Sequence, residues 1–462
     1  MEELNEDALR QLMGFTSFGR RHKRAKRSRD SIVGSSPPQS KTTNGDNCEP
    51  REPLVHVHVG TTVDSKDFAA HRVLHLENAD VIFLKASGEG AAQHDLPSHS
   101  SEEDQDSAAR LALPASSQEL LMKLQATKCR FEELPREVFS RARQLANPYE
   151  SLGRGRFLNR SAMKMANLDF IFGWTRRMRE LRTENEPFVF ADLCGAPGGF
   201  SEYLLWRHEQ QEQDSNKLLA EGFGISIRGE DACTWELAAP DSDRVKFHVL
   251  YGADGTGDLC EPQNIDSFAD TMRRRYPSGA HLVVADGGFR DARNQVQQEA
   301  LMTSLIAAET LAMFKVLRVG GSFACKTFEI STPAMLSIMW ILLQSFERVT
   351  IVKPLTSRPA SSERYVVADR LLPHAPLSVA CEVLLSLTTS SDPTIGALPQ
   401  DSFFDAITKD HDFMAFIAKS SDRLAAAQIE ACVGILECAA NAKKRRSIGR
   451  SALEAYRAAW GV

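Results

Sequence analysis

One stretch of the chain, Phe188-Val-Phe-Ala-Asp-Leu-Cys-Gly-Ala-Pro-Gly-Gly-Phe-Ser-Glu-Tyr203, combines three structural signals. Phe188 to Leu193 is a short apolar run typical of a strand buried on both faces. A Gly/Pro turn ends this run, and a helix is predicted from about Phe200. Strand, glycine turn and helix in this order are typical of a ligand loop in an α/β protein.

The turn has the composition of a loop that lets a ligand approach the main chain. Its glycines permit positive φ angles, and Pro197 stiffens it. Asp192 ends the strand, where open α/β sheets place ligand contacts. A dinucleotide fingerprint would require G-x-G-x-x-G, which Gly195 to Phe200 does not fit. The alternative is a tight strand-to-helix turn that binds nothing.

Further strands and helices alternate along the chain after this turn. The predicted strands are Gly222–Ile227, Val245–Leu250, His281–Ala285, Gly321–Cys325, Val349–Val352 and Arg364–Ala368. The predicted helices are Phe200–Glu209, Gln298–Leu317 and Ala334–Phe346. This alternation predicts an α/β fold with a mostly parallel sheet and helices on both faces.

Five segments in order resemble one enzyme family. They are Asn159–Asn167, Asp192–Ser201, Ala285–Phe289, Cys325–Phe328 and Thr356–Tyr365. The glycine turn resembles the S-adenosylmethionine loop of FtsJ-like ribose 2′-O-methyltransferases. Together the segments are similar to the eukaryotic enzymes that methylate capped mRNA, over about Lys128 to Asp369. The resemblance implies a Rossmann-like S-adenosylmethionine-dependent methyltransferase domain.

Methyl transfer to a ribose hydroxyl needs alignment of the reacting atoms and removal of a proton. A lysine can accept that proton if burial or a second cation lowers its pKa. The resemblance implies a catalytic tetrad with Lys326 as the base: Lys164, Asp286, Lys326 and Glu363. Asp286 and Lys326 each end a predicted strand, and Glu363 would share their edge if its strand runs antiparallel. The alternative is a set of ordinary surface ion pairs.

The resemblance also implies two binding surfaces. The cofactor would be held by Asp192, Cys194, Gly195, Ala196, Pro197, Gly198, Gly199, Phe200, Asp258 and Leu259. Gly252 to Cys260 could instead be an acidic surface turn. The 5′ end of capped mRNA would contact Lys128, Arg130, Phe131, Glu132, Arg143, Asn294 and Ser361. The basic residues among Glu119 to Asn147 could instead form a solvated helix face.

Composition limits the class of protein. Hydrophobic residues make up 42% and charged residues 25%, and the net charge is −6, so nucleic-acid binding would depend on local basic patches. The nine cysteines include no C-x-x-C pair, which predicts reduced thiols and no metal site. With no apolar run of about 18 residues and no secretory signal, we expect a soluble intracellular protein without a membrane contact. We also expect the protein to be a monomer.

The predicted domains are a disordered basic tail at 1–52, an accessory segment and linker at 53–118, the methyltransferase domain at 119–370 and a helical C-terminal extension at 371–462. The basic run Arg20–Arg29 could be a nuclear-import signal, an RNA-contacting arm or a solvated tail. Import is favoured, which predicts a nuclear protein. The extension is interpreted as a partner-docking module, with the transcription or capping machinery as candidate partners.

Three functions remain open at this point. The first is methylation of the first transcribed nucleotide of capped mRNA, cap 0 to cap 1. The second is methylation of rRNA or of the cap 2 position. The third is a non-catalytic RNA-binding scaffold that keeps the fold.

Overall fold

The computed structural model describes residues 58–59, 84–85, 113–147, 149–181, 186–211, 218–230, 232–237, 243–288, 298–390, 400–442 and 450–462. Three predictions lie outside these residues: the tail at 1–52 with its basic run, most of the accessory segment, and Asn294.

The described residues form nine strands in one sheet. They are β1 His58–Val59, β2 Leu84–Lys85, β3 Phe188–Leu193, β4 Ala220–Ile225, β5 Val245–Leu250, β6 Ala280–Ala285, β7 Leu317–Thr327, β8 Phe346–Lys353 and β9 Arg364–Leu371. The order across the sheet is β5-β4-β3-β6-β7-β9-β8-β1, and β2 also pairs with β8. Strands β3 to β7 are mutually parallel, whereas β9 is antiparallel to both β7 and β8. The predicted mostly parallel sheet is therefore confirmed.

Twelve α-helices accompany the sheet in the described residues. They are α1 Ala115–Cys129, α2 Arg136–Ala146, α3 Arg160–Phe172, α4 Trp174–Leu181, α5 Gly199–Gln211, α6 Pro262–Arg275, α7 Gln298–Val316, α8 Pro333–Ser345, α9 Leu377–Thr389, α10 Gln400–Lys409, α11 His411–Ala440 and α12 Arg450–Trp460.

Helices cover both faces of the sheet because the central strands bury both faces. All six residues of β3 are buried. Val189 and Ala191 face the core that α6, α7 and α8 close. Phe188 and Phe190 face the second core, which α3 and α5 close. The period of two along a strand therefore divides one apolar run between two cores.

Two helical stretches of the chain are interrupted at a proline or a glycine. The helical pattern from Glu119 to Asn147 is interrupted before Pro135, which lacks the N–H of a helix interior and stands at the start of α2. The pattern from Asn159 to Leu181 is interrupted at Gly173, which ends α3 with φ of 65°. Each break redirects the chain at a residue that disfavours the helix interior.

The accessory segment and the C-terminal extension also differ from the sequence-based interpretation. The strands β1 and β2 lie in the accessory segment, outside the predicted methyltransferase domain, but they extend the main sheet by pairing with β8. The C-terminal region is helical, as predicted. Asp410 separates α10 from α11, and its carboxylate accepts from the Phe413 N–H and caps α11. Val383 and Phe413 lie in the first core, and Trp460 lies in the second. These helices therefore share the cores of the sheet.

We predict that Gly222→Ala lowers the free energy of unfolding by about 2 kcal/mol, because an added methyl group overpacks the core. A Cβ atom at Gly222 would lie 2.3 Å from Cζ of Phe190 and 2.7 Å from Cδ2 of Phe247. Gly229→Ala is the matched control, because a Cβ atom there meets nothing within 4 Å. Urea denaturation of both variants is the measurement, and equal midpoints would contradict the prediction.

Candidate active site

The glycine turn after β3 lies at the carboxyl edge of the sheet and leads directly into α5. Cys194 has φ of 54° and Gly198 has φ of 108°, and the Gly198 N–H donates to the Gly195 carbonyl over 2.8 Å. A Cβ atom at Gly195 would lie 2.1 Å from Oδ1 of Asp192, so only glycine fits there. The first amides of α5 have no intrahelical acceptor and point towards this turn. The predicted strand, turn and helix are confirmed.

Asp192 lies beneath the turn and is fully buried. Its Oδ2 accepts a 2.6 Å hydrogen bond from the Ser201 hydroxyl. Its Oδ1 is buried and has no hydrogen-bond donor in the described part of the chain. Burial raises the pKa of Asp192 to about 7, although the Ser201 hydrogen bond opposes the rise. An unsatisfied carboxylate oxygen beside a glycine turn suits a ligand with a cationic or N–H donor group.

A segment without a sequence signal packs against the glycine turn. The Glu236 N–H donates to the Pro197 carbonyl over 3.0 Å. Leu237 lies so close to Gly198 that a Cβ atom on the glycine would be 2.8 Å from its Cγ. Residues 232–237, which follow β4, therefore border the glycine turn.

The loop at residues 252–260 stands beside the same edge, after β5. The Arg228 N–H, beyond β4, donates to the Thr256 carbonyl over 2.6 Å. Asp258 is half-buried and accepts from the Cys260 N–H over 2.9 Å. The Leu259 side chain is buried in the first core, as the Phe200 side chain is in the second. Both residues are about 1% exposed, so their side chains belong to the cores and not to a ligand surface.

The register of the sheet aligns the predicted catalytic residues. Leu193 pairs with Ala285, and Ala285 pairs with Cys325, so Asp286 and Lys326 follow at adjacent strand ends. Lys326 itself pairs with Tyr365 of the antiparallel strand β9. The start of β9 therefore lies at the edge where the parallel strands end, which brings Glu363 to the site.

Four charged side chains converge at this edge. Nζ of Lys164, on α3, lies 2.9 Å from Oε2 of Glu363 and 3.5 Å from both carboxylate oxygens of Asp286. Nζ of Lys326 donates to the Asp286 carbonyl over 2.7 Å and lies 3.2 Å from Oδ1 of Asp286. The side chains are 13 to 20% exposed, so they are largely shielded from water yet reachable. The predicted set of four therefore comes together in the structure.

Two further residues complete this cluster and were missed in the sequence. The Tyr365 hydroxyl donates to Oδ1 of Asp286 over 2.7 Å and accepts from Nζ of Lys164 over 3.1 Å. The Ser161 hydroxyl donates to Oδ2 of Asp286 over 3.0 Å. Both residues lie inside the quoted family segments, so their position next to Lys164 and Glu363 was the available signal.

The electrostatics distinguish Lys164 from the acids around it. Burial alone would lower the pKa of Lys164, but the carboxylates of Asp286 and Glu363 outweigh burial and raise that pKa. Burial would raise the pKa of Asp286, but Lys164 and Lys326 hold it well below its usual range. Lys164 also overcomes the effect of burial on Glu363 and lowers its pKa. Lys164 therefore stays protonated between two ionised acids.

The predicted RNA contacts fall into two groups. Arg130 and Glu132 are exposed between α1 and α2, and Phe131 is half-buried against Phe139, with ring centroids 5.0 Å apart. The Lys128 amine is already engaged, because it donates to the Ser362 hydroxyl over 2.7 Å and lies 3.8 Å from Glu329. A role of Lys128 in RNA binding stays a prediction.

Arg143 belongs to a group of arginines next to the catalytic cluster. Burial lowers the pKa of Arg143, and the positive charges of Arg358 and Arg160 lower it further. Arg160 pairs with Glu150 over 2.5 Å and donates to the Thr356 carbonyl over 3.3 Å. Arg160 also precedes Ser161 on α3, so the basic group adjoins the site. Sequence reasoning missed Arg160 and Arg358.

Comparisons with known proteins relate this chain to a family of methyltransferases. Residues 157–371 match the FtsJ-like methyltransferase family. The similar proteins include several with the name cap-specific mRNA (nucleoside-2′-O-)-methyltransferase 1. The Danio rerio protein is 36% identical over 69% of this chain and 39% of its own length, the Xenopus laevis protein 40% over 54% and 30%, and the Homo sapiens protein 35% over 69% and 39%. The chain thus spans about two fifths or less of each relative.

Among solved structures, one from Plasmodium falciparum classed among ribosomal RNA methyltransferases is 17% identical, with a TM-score of 0.30, over 46% of this chain and 98% of its own. No helix in the described ranges has the length and apolar character needed to cross a membrane.

We predict that Lys164→Met lowers the free energy of unfolding by about 3 kcal/mol at pH 7.5, because it leaves two buried carboxylates without their shared cation. In the variant these carboxylates take up protons as the pH falls from 7 to 5, so the deficit should shrink over that range. In the unaltered protein their lowered pKa values keep this stabilisation until below about pH 4.

Urea denaturation at pH 7.5 and pH 5 measures both effects. Adding Glu363→Gln to Lys164→Met is the control: Glu363 pairs with Lys164, whereas Asp286 keeps Lys326 as a partner, so removing the Glu363 charge should restore part of the stability. A deficit that does not change with pH, or that Glu363→Gln increases, would contradict the assignment of charge.

Proposed function

Residues 157–371 of this chain belong to the FtsJ-like methyltransferase family, and from that premise we propose that the protein methylates the ribose 2′-hydroxyl of the first transcribed nucleotide of capped mRNA, converting cap 0 to cap 1. The observation that carries this proposal is the convergence of Lys164, Asp286, Lys326 and Glu363 beside a glycine turn. The names of the relatives support the choice of capped mRNA.

We propose S-adenosylmethionine as the cofactor, because the residues around the turn suit it. Residues Cys194 to Pro197 of the turn are partly exposed, and the free oxygen of Asp192 suits an ammonium group. Asp258 stands across the edge in the loop after β5. When bound there, the cofactor would supply an electrophilic methyl group on a sulfonium.

The two lysines would have different roles. Lys164 is a poor candidate for the base, because its raised pKa keeps its proton in place. Nζ of Lys326 contacts a single carboxylate, that of Asp286, and would accept the proton of the ribose hydroxyl. Loss of that proton turns the hydroxyl into a better nucleophile as its oxygen bonds to the methyl carbon and the sulfur–carbon bond breaks.

The acids would orient the amines and balance their charge. Asp286 contacts both lysines and is itself held by Tyr365 and Ser161. Glu363 holds Lys164. Geometry maintained by buried partners costs little reorganisation when charge moves in the reaction.

The basic group of Arg143, Arg160 and Arg358 supports a substrate rich in phosphate. Burial and the positive charges of Arg358 and Arg160 lower the pKa of Arg143, and phosphate oxygens would relieve that repulsion. We propose that these residues contact the 5′ phosphates or the backbone of capped RNA, with Ser361, Arg130, Phe131 and Glu132 nearby.

A nuclear location remains part of the proposal and rests on the basic run Arg20–Arg29. Recruitment by the transcription or capping machinery would follow from such a location. Both are tested by imaging the full chain with and without this run.

We predict that Lys326→Met lowers the rate of methyl transfer to capped RNA by about 10²- to 10⁴-fold, the usual contribution of a general base. Binding of S-adenosylmethionine, measured by calorimetry, should stay within about twofold, because Lys326 has no place in the proposed cofactor site. Lys315→Met, on the far end of α7, is the matched control and should retain full activity.

The assay uses two RNA substrates that both carry a 7-methylguanosine cap. In one the first nucleotide has a free 2′-hydroxyl, and in the other that hydroxyl is already methylated. Only the unmethylated form should accept a labelled methyl group. Normal turnover by Lys326→Met would refute the base, and labelling of the pre-methylated RNA would favour the cap 2 position.

We also predict that cofactor affinity depends on Asp192. An ammonium group favours the ionised carboxylate, so binding lowers a pKa that stands at about 7 and releases a proton. Affinity should therefore rise by about five- to tenfold from pH 6 to pH 7.5. Calorimetry in buffers of different ionisation enthalpy measures both quantities. Asp192→Asn should bind more weakly with no such rise; an unchanged pH dependence in that variant would contradict the role.

A further inference from the structure

The loop at residues 354–363 joins β8 to β9 and carries side chains that the proposed function needs. Glu363 belongs to the catalytic cluster, Ser361 is a candidate RNA contact, and Arg358 belongs to the basic group. Within the loop, the main chain makes two turn hydrogen bonds, from Ser357 to Pro354 and from Ser361 to Arg358. Two such bonds do not define the path of ten residues, so side chains from outside must hold it.

Lys353 holds the loop from the side of the sheet. It ends β8, is 7% exposed, and donates from Nζ to the carbonyls of Ser361 over 2.7 Å and Glu363 over 2.6 Å. Burial lowers the pKa of Lys353 to about 7, with Arg364 and Lys128 acting in the same direction and Glu363 and Glu329 opposing them. The amine thus fixes the main chain on both sides of Ser362.

Gln428 holds the same loop from the C-terminal helix α11. It is 2% exposed, and its Nε2 donates to the Ala360 carbonyl over 3.0 Å and to the Ser362 hydroxyl over 3.3 Å. Lys128 of α1 donates to that same hydroxyl over 2.7 Å. Ala360 packs into the small apolar clusters that α1 and α2 form with α11.

We propose that α11 helps to form the RNA-binding and catalytic site. Gln428 is a positioning residue: by holding the 354–363 loop, it places Ser361, Arg358 and Glu363. This inference rests on the proposed function for its effect on RNA. It assigns the C-terminal helix an intramolecular role in place of the partner-docking role expected from the sequence. Two buried side chains therefore hold the loop: Gln428 binds the Ala360 carbonyl, and Lys353 binds the carbonyls of Ser361 and Glu363.

Gln428→Met tests the proposal, because it removes the amide donor and nearly conserves volume. The loss of a neutral hydrogen bond predicts a three- to tenfold rise, roughly, in KM for capped RNA. The kcat should change less than about twofold, because Asp286 continues to hold Lys164, and cofactor affinity should be unchanged. With no RNA present, amides of the 354–363 loop should exchange with deuterium faster in Gln428→Met than in the unaltered protein.

Ile417→Val is the matched control on α11. Ile417 is fully buried in the first core, so its substitution weakens the packing of the same helix without a change at the loop. It should lower the thermal midpoint and leave both KM and loop exchange unchanged. Lys353→Met should raise KM and loop exchange as Gln428→Met does, and the double variant should fall short of the product of the two effects.

The proposal is overturned if Gln428→Met leaves KM and loop exchange unchanged, or if Ile417→Val raises KM equally. Failure of the unaltered protein to methylate capped RNA would refute the proposed function instead. Loop exchange needs no RNA, so it would still decide whether Gln428 holds the loop.

Discussion

The carboxylate of Asp286 is the contact on which the site depends. It lies between the amines of Lys164 and Lys326 and accepts hydrogen bonds from Tyr365 and Ser161, which come from β9 and α3. Without it, two largely buried amines would face each other with Glu363 as their one acid. A buried cation without a partner costs several kcal/mol. One carboxylate therefore permits two lysines to share a small volume, and its hydrogen bonds fix where that volume is.

The order of the strands delivers the groups that meet at Asp286. The parallel strands β3, β6 and β7 end in line, which sets the glycine turn, Asp286 and Lys326 side by side. The antiparallel strand β9 then begins at the edge where its neighbour ends. A parallel β9 would place Glu363 at the opposite edge, a strand length of about 20 Å away. The reversal of one strand is thus a requirement of the site.

Around the cluster, some polar groups are hydrogen-bonded within the protein, whereas others lack a hydrogen-bond partner in the described residues. Tyr365, Ser161 and Lys353 supply hydrogen bonds that hold the catalytic side chains and the loop before β9. Oδ1 of Asp192 lacks a donor in the described residues. Unsatisfied or poorly compensated charge next to a rigid frame is typical of sites whose ligand completes the electrostatics. The contrast between these two kinds of group supports the assignment of separate catalytic and binding surfaces.

Local pattern was sufficient for the alternating strands and helices, the glycine turn, and the positions of Asp286 and Lys326 at strand ends, whereas a family resemblance selected the set of four charged residues. Those features depend on side-chain periodicity and on the conformational limits of Gly and Pro, which act over a few residues. Contacts between distant segments were decided by the folded chain. These include the direction of β9, the hydrogen bonds of Tyr365 and Ser161 to Asp286, and the burial of Leu259. The packing of α11 against the loop before β9 belongs with them. Such contacts depend on strand order and register, which hydrophobic periodicity does not encode because every apolar face offers several equivalent partners.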